Sequence, residues 1–228
     1  MKLHFYHVSL SISLLFLLIS SSAQAQEDGS NRKFSLEYGA FSTRISDRPL
    51  TALGKFGQSL TFRMHQIINK DVELTYGIGY LQSGERVAIT NDPIYIRVEE
   101  SYTNRFAYLP IGVYLPSKDF YVHPEIMLFY NVSNRQRIEL TELILSDDPD
   151  EDPITDITIQ EGPTELSEGS FSQFSVALSI SAGVRIPLLD KYEVNVGFRY
   201  FFGVTQLITD IPRDYRHTGV GLTTAFIF

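Results

Sequence analysis

Four carboxylates (Glu37, Glu73, Glu125 and Glu193), three guanidinium groups (Arg63, Arg185 and Arg199) and three imidazoles (His65, His123 and His217) occupy the polar phase of segments whose alternate residues are apolar. Brought onto one surface, such groups admit four chemistries. Opposite charges would pair and fill the space between them. A charged ring would line an ion path. A histidine between a serine and a carboxylate would activate a nucleophile, and three imidazoles would hold a metal. The spacing argues against the last two. Arg216, Thr218 and Gly219 around His217 offer no serine at short range, and His65 and His123 lie on separate segments. No catalytic residue, cofactor or metal is therefore expected, and the chain is read as a non-enzyme. Glu37, Arg63, His65, Glu73, His123, Glu125, Arg185, Glu193 and Arg199 are read as a polar network, because an isolated buried charge costs several kcal/mol.

The elements that must position these groups are unusually long. In Tyr192 to Val204 the even residues Tyr192, Val194, Val196, Phe198, Tyr200, Phe202 and Val204 are all apolar, while the odd ones include Glu193, Asn195, Gly197 and Arg199. This period of two belongs to a β-strand with one greasy and one polar face. Segments near 34–40, 56–65, 72–81, 120–131, 174–186 and 216–228 repeat it. Around 106–114 apolar residues fill both phases, and Ala107, Leu109, Ile111 and Val113 are assigned outward. The fold class expected is all-β: an eight-stranded antiparallel up-and-down barrel. Three short turns, at 68–71, 116–119 and 187–191, would mark one rim, and long connections at 44–54, 84–101, 134–170 and 207–215 the other.

Composition bounds the alternatives. The chain has 228 residues, no cysteine, no tryptophan, 13 Tyr, 16 Phe and a formal charge of −8. Without cysteine there is no disulfide framework, thiol nucleophile or Cys-type metal site, and the acidic balance speaks against nucleic acid. Residues 1–25 read as a cleaved secretory signal, with Lys2, an apolar core Val8 to Ile19 and the site Ala23-Gln24-Ala25. Residues 26–32 would be a periplasmic tail and 33–228 the barrel. Strands long enough to cross a bilayer, with a face too polar for a dry ligand cavity, imply that the apolar face meets lipid. A soluble lipocalin-like barrel would have to invert this.

With its signal, eight alternating strands and last strand ending on Phe226 and Phe228, the chain resembles the small bacterial outer-membrane barrels. Within them it resembles the outer membrane protein beta-barrel domain, or PorT-like porin family. The resemblance implies an integral outer-membrane location in a Gram-negative envelope, Phe226 and Phe228 as the signal read by the barrel-assembly machinery, contact with outer-membrane lipid and lipopolysaccharide, and a monomer. A plugged lumen is preferred over a narrow porin-like channel, and the resemblance also leaves open an accessory role in a type IX-like secretion system.

Arg86 to Thr90, Ile94 to Glu99, Ile138 to Leu145 and Ile154 to Gln160 are themselves strand-like, so strands 3 to 6 are expected to continue outside the membrane. That arrangement is similar to the slanted sheet of OmpX-like barrels and implies capture of an extracellular protein partner at loops 84–101 and 134–170 through a strand edge. The tip Asp147, Asp148, Asp150, Glu151 and Asp152 belongs to a stretch, 139–168, with 11 carboxylates and no Lys or Arg. It is read first as a solvated cap; the spacing does not define a calcium loop.

Overall fold

The structure is a computed structural model and describes residues 32–45, 52–91, 96–144, 154–163, 170–188, 192–206, 208–209 and 216–228. The expected signal, most of the tail and the acidic tip at Asp147, Asp148, Asp150, Glu151 and Asp152 lie outside the described residues.

The long alternating segments form long strands: β1 Arg32–Ile45, β2 Ala52–Asn69, β3 Val72–Asn91, β4 Ile96–Pro116, β5 Phe120–Ile144, β6 Ile154–Pro163, β7 Ser170–Phe171, β8 Phe174–Pro187, β9 Glu193–Gly203, β10 Ile208–Thr209 and β11 His217–Ile227. The main sheet runs β4-β3-β2-β1-β11-β9-β8-β5-β6, and a further β4–β5 pairing closes it. All its ladders are antiparallel. Eight strands thus make a closed barrel and β6 is an additional ninth. The seam between first and last barrel strands is fastened by reciprocal backbone bonds, Phe34 N to Phe228 O at 2.8 Å and Phe228 N to Phe34 O at 2.9 Å.

One rim is tight. Asp71 N donates to Asn69 Oδ1 at 2.9 Å, an Asx turn joining β2 to β3. Ser117 N to Phe120 O and Leu188 N to Tyr192 O close the other two turns at 2.7 and 2.8 Å. At this rim Phe34 stacks on Phe62, and Phe226 lies between Tyr192 and Phe228, with centroid separations of 5.8, 5.7 and 5.6 Å.

Sidedness follows directly from the alternation. Phe198 is 67% exposed and its neighbour Arg199 only 1%. Leu109, Ile111 and Val113 face outward as assigned, with Tyr108 and Tyr114 inward. Large apolar side chains girdle the exterior on every barrel strand, far beyond the few hundred Å² of contiguous apolar surface usual for a soluble monomer. A closed sheet with this exterior leaves no backbone edge unpaired in hydrocarbon. It is a small outer-membrane β-barrel.

One element departs from the expected layout. β3, β4 and β5 run on past the barrel, but the fourth arm strand, β6, is separate from the sixth barrel strand, β8. β5 is long enough to pair with both, with β8 through Phe120 to Tyr130 and with β6 through Arg135 to Ile144. The switch follows a register shift in the β4–β5 ladder, where Phe106 faces Asn131 but Arg105 faces Ser133. Such an extra residue bends and twists a strand locally, and it falls where β5 leaves β8 for β6.

Candidate functional site

Two features could carry function: the barrel interior and the arm above it.

At mid-barrel four charges alternate in sign. Arg63 Nε donates to Glu125 Oε1 at 2.8 Å, and its Nη2 reaches Glu37 Oε1 at 3.3 Å. Arg199 grips Glu37 through Nη1–Oε1 at 2.5 Å and Nη2–Oε2 at 2.8 Å, and meets Glu125 Oε2 at 3.0 Å. Its Nε donates to Ser181 Oγ at 2.8 Å. All four residues are at most 4% exposed. With two charges of each sign the quartet is neutral, and the guanidinium forks meet the carboxylates in the paired geometry that makes such bonds strong. The sequence brings them together because each sits in the inward phase of β1, β2, β5 or β9.

Toward the tight rim a second set forms. Arg185 binds Glu193 through two nitrogens, one of them Nε at 3.0 Å from Oε1, and also donates to Ser117 O. Tyr114 donates to Glu193 Oε1 at 3.0 Å and accepts from Asn195 Nδ2 at 2.8 Å. Lys33 Nζ donates to Glu73 Oε1 at 2.9 Å. His65 places Nδ1 2.8 Å from Glu73 Oε2 and Nε2 2.9 Å from Ser35 Oγ. A carboxylate can only accept, so in a neutral ring Nδ1 carries the hydrogen and Nε2 accepts the Ser35 hydroxyl. His123 Nε2 lies 2.8 Å from Thr75 Oγ1. Every member of the expected polar network is therefore turned into the barrel.

Ser35, His65 and Glu73 have the connectivity of a base-activated serine. Spacing along the chain gives no sign of it, because Ser35 is distant from His65 and Glu73 in sequence and His217 has no serine beside it. In the structure the serine arrives across a ladder: His65 faces Lys33 on β1 and Thr75 on β3, so Ser35 and the Glu73 carboxylate lie one step away diagonally. Diagonal neighbours in a sheet remain within reach of a long side chain. All three are at most 3% exposed. The adjoining cavity, lined by Ser35, His65, Tyr114, Tyr121 and Asn195 among others, holds about 10 Å³. That is space for one water and none for an acyl substrate.

A third layer has no counterpart in the expected polar network. Above the quartet, Phe41, Leu81, Phe106, Tyr108, Met127, Phe129, Ala177 and Phe201 form a buried apolar cluster inside the barrel. His217 sits among its rings, with centroids 5.0 Å from Phe201 and 5.4 Å from Phe106. Gly79 leaves room for the Tyr108 ring, whose hydroxyl is bonded to Thr61 Oγ1. The available signal was apolar residues in the inward phase at Met127, Phe129 and Phe201, alongside the doubly apolar 106–114.

On the arm, the face that meets lipid lower down continues upward. Across β3, β4 and β5 its rows read Tyr76–Ile111–Ile126, Tyr80–Ala107–Tyr130, Gln82–Arg105–Ser133, Gly84–Thr103–Arg135 and Arg86–Ser101–Arg137, then Glu99–Glu139. Between Gly54 and Gln58 the β2–β3 ladder breaks. There Thr43 Oγ1 accepts from Gly84 N and is bonded to Gly84 O, both at 2.9 Å. Lys55 crosses Gly84, whose position would put a Cβ 3.1 Å from Lys55 Cδ, and its Nζ donates to Thr103 Oγ1 at 2.6 Å. Partial burial first, then nearby Arg137, lower the Lys55 pKa from its ordinary value. Two adjoining hollows, of about 560 and 450 Å³, flank this lysine. In them Arg86 is paired with Glu99, and Arg137 with Glu139 at 3.4 Å and Glu161 at 3.3 Å. β6 pairs only with β5, so its far edge has no strand partner among the described residues.

No family model and no curated protein matches the chain. Among solved structures it is similar to Neisserial surface protein A, with a TM-score of 0.38, 11% identity, and coverage of 86% of this chain and 96% of that one. Ail, the attachment invasion locus protein of Yersinia pestis, gives 0.33 at 9% identity, covering 87% and 99%. The outer membrane protease OmpT from Escherichia coli gives 0.35 at 6% identity, covering 87% and 93%. Likenesses of this size carry no functional argument.

Proposed function

We propose that this outer-membrane barrel is a non-enzymatic surface protein: a sealed stake in the membrane that presents the β3–β6 sheet to a protein partner outside the cell. Its kinship with the OmpX-like barrels or the PorT-like porin family belongs to this proposal and rests on the sequence features alone. The observation that carries the reading is the edge of β6. Among the described residues, the ten residues of this extended backbone are paired on one side only, next to the exposed side chains of Ile157 and Ile159. An incoming strand would gain backbone hydrogen bonds from that edge and selectivity from alternate side chains.

The interior supports a stake rather than a pore. Charge quartet and aromatic layer lie in series across a lumen that eight strands leave only wide enough for side chains. The Ser35–His65–Glu73 relay is read as structural, since its members are buried and the cavity beside them has room for about one water. The fold offers nothing that selects a role in type IX-like secretion.

A photo-crosslinking residue placed at Ile159 on intact cells tests the edge. A discrete protein adduct is expected, and it should vanish when Ile157→Pro removes a backbone donor. No adduct at Ile159, or one indifferent to the proline, would count against the reading.

A further inference from the structure

The outward face of β3–β5 changes character within one row. Tyr80 and Tyr130 form the last apolar row, with only Val132 exposed at the register shift just above it, and the rows beyond carry Arg105, then Lys55 and Arg135. Two residues of strand advance about 7 Å, or about 5 Å in height at a 45° tilt. The headgroup zone on each side of a bilayer is about 5–8 Å deep. When the tyrosines mark the hydrocarbon boundary, where such residues collect, Arg105, one row up, lies within the headgroup zone, and Lys55 and Arg135, two rows or about 9 Å up, lie at its outer edge, within reach of headgroup phosphates through their long side chains. The more distant arginines of this face, Arg86 and Arg137, are neutralised by carboxylates. The three nearest the membrane have no carboxylate partner among the described residues, and the Arg105 Nε is buried without an acceptor. The chain as a whole is acidic, at −8, so an unpaired cationic row is not what composition alone would produce.

We infer that Arg105, Lys55 and Arg135 form a binding site for the phosphorylated headgroup of an outer-leaflet glycolipid, whose acyl chains lie on the apolar wall below. Lys55 and Arg135 line the hollow of about 560 Å³, which is of the size of a small-molecule site, and Arg105 lies one row below it on the membrane side. Arginine supplies the planar fork that recognises phosphate, and Lys55, held over Gly84 by Thr103, supplies a point charge. Lipid chains already in contact with the barrel make the headgroup's capture effectively intramolecular, which favours a lipid phosphate over a free one. The site would fix the base of the arm at the membrane surface and so set the angle at which the β6 edge is displayed. It rests on the membrane reading of the barrel, but not on any protein partner.

The test uses the full chain folded in dodecyl maltoside and native mass spectrometry. Bisphosphorylated lipid A is titrated against the same lipid with both phosphates removed. Binding of the phosphorylated form is expected to be at least about tenfold tighter. R105Q/R135Q should erase that difference, R105K/R135K should restore most of it, and R44Q, an exposed cation on β1, should leave it intact. Equal binding of the two lipids, or equal loss in R44Q, would overturn the site. Displacement of the lipid by 10 mM inorganic phosphate would overturn its assignment to a lipid. Heat-modifiable gel mobility verifies that each variant is folded, and because the measurement is made in detergent, failure of the site and failure of the membrane reading remain distinguishable.

Discussion

Arg199 on β9 and Glu37 on β1 hold each other through two parallel hydrogen bonds of 2.5 and 2.8 Å, although β11 runs between their strands. Their ladder partners on β11 are Gly221 for Arg199 and Ala225 for Glu37, so the pair reaches diagonally across that strand. Two long side chains in the inward phase thus meet across the width of an intervening strand.

Because the quartet is neutral only as a whole, removing one member strands another. Arg63→Met should cost about 3–5 kcal/mol, the range for breaking a buried pair. Arg86→Met, in a half-exposed pair, should cost no more than about 1 kcal/mol. Urea unfolding in lipid vesicles measures both, and comparable costs would refute the distinction.

The two layers of the plug act in series, so opening one should not open the barrel. Phe106→Ala with Phe201→Ala is expected to leave planar-bilayer current at baseline while Arg63 and Arg199 remain. Adding Arg63→Ala and Arg199→Ala should give steady openings. Current through the unmodified protein would restore the porin-like alternative.

Ser35 has an activated serine's neighbours and no approach to them. A fluorophosphonate probe should fail to label the folded protein, and Ser35→Ala should be no less inert. Labelling that maps to Ser35 and disappears with His65→Gln would instead identify an enzyme.

Gly79 is a socket for the Tyr108 ring. Gly79→Val forces that ring from its place and should cost about 1–3 kcal/mol, the usual range for overpacking. Gly162, with open space around its missing side chain, should accept alanine with little change. Thermal shifts of the gel-mobility transition would separate the two.

The barrel was legible because lipid outside and charge inside impose the same two-residue rhythm on every strand, as in Phe198 and Arg199. The strand-like stretches at 86–90 and 138–145 likewise foretold the arm. What escaped notice was whatever depends on register between strands. Ser35 and His65 are 30 positions apart in the chain and meet by a diagonal step across β1 and β2. The aromatic layer was hidden because Phe129 or Phe201 in a polar phase looks like noise until eight strands bring such exceptions to one height. That β6 would be a separate strand depended on the register shift in the β4–β5 ladder, at Arg105 and Phe106, which leaves no mark in composition.

The seam between Phe34 and Phe228 has a temporal meaning. The strands it joins come from opposite ends of the described chain, so the ring cannot shut until its last strand has arrived. Contacts this distant in sequence are the slowest to form. Until then the sheet has two bare edges, each able to recruit a wrong neighbour. For this protein the hazardous interval is the one before closure, when both edges are bare and no stability of the finished ring yet protects them.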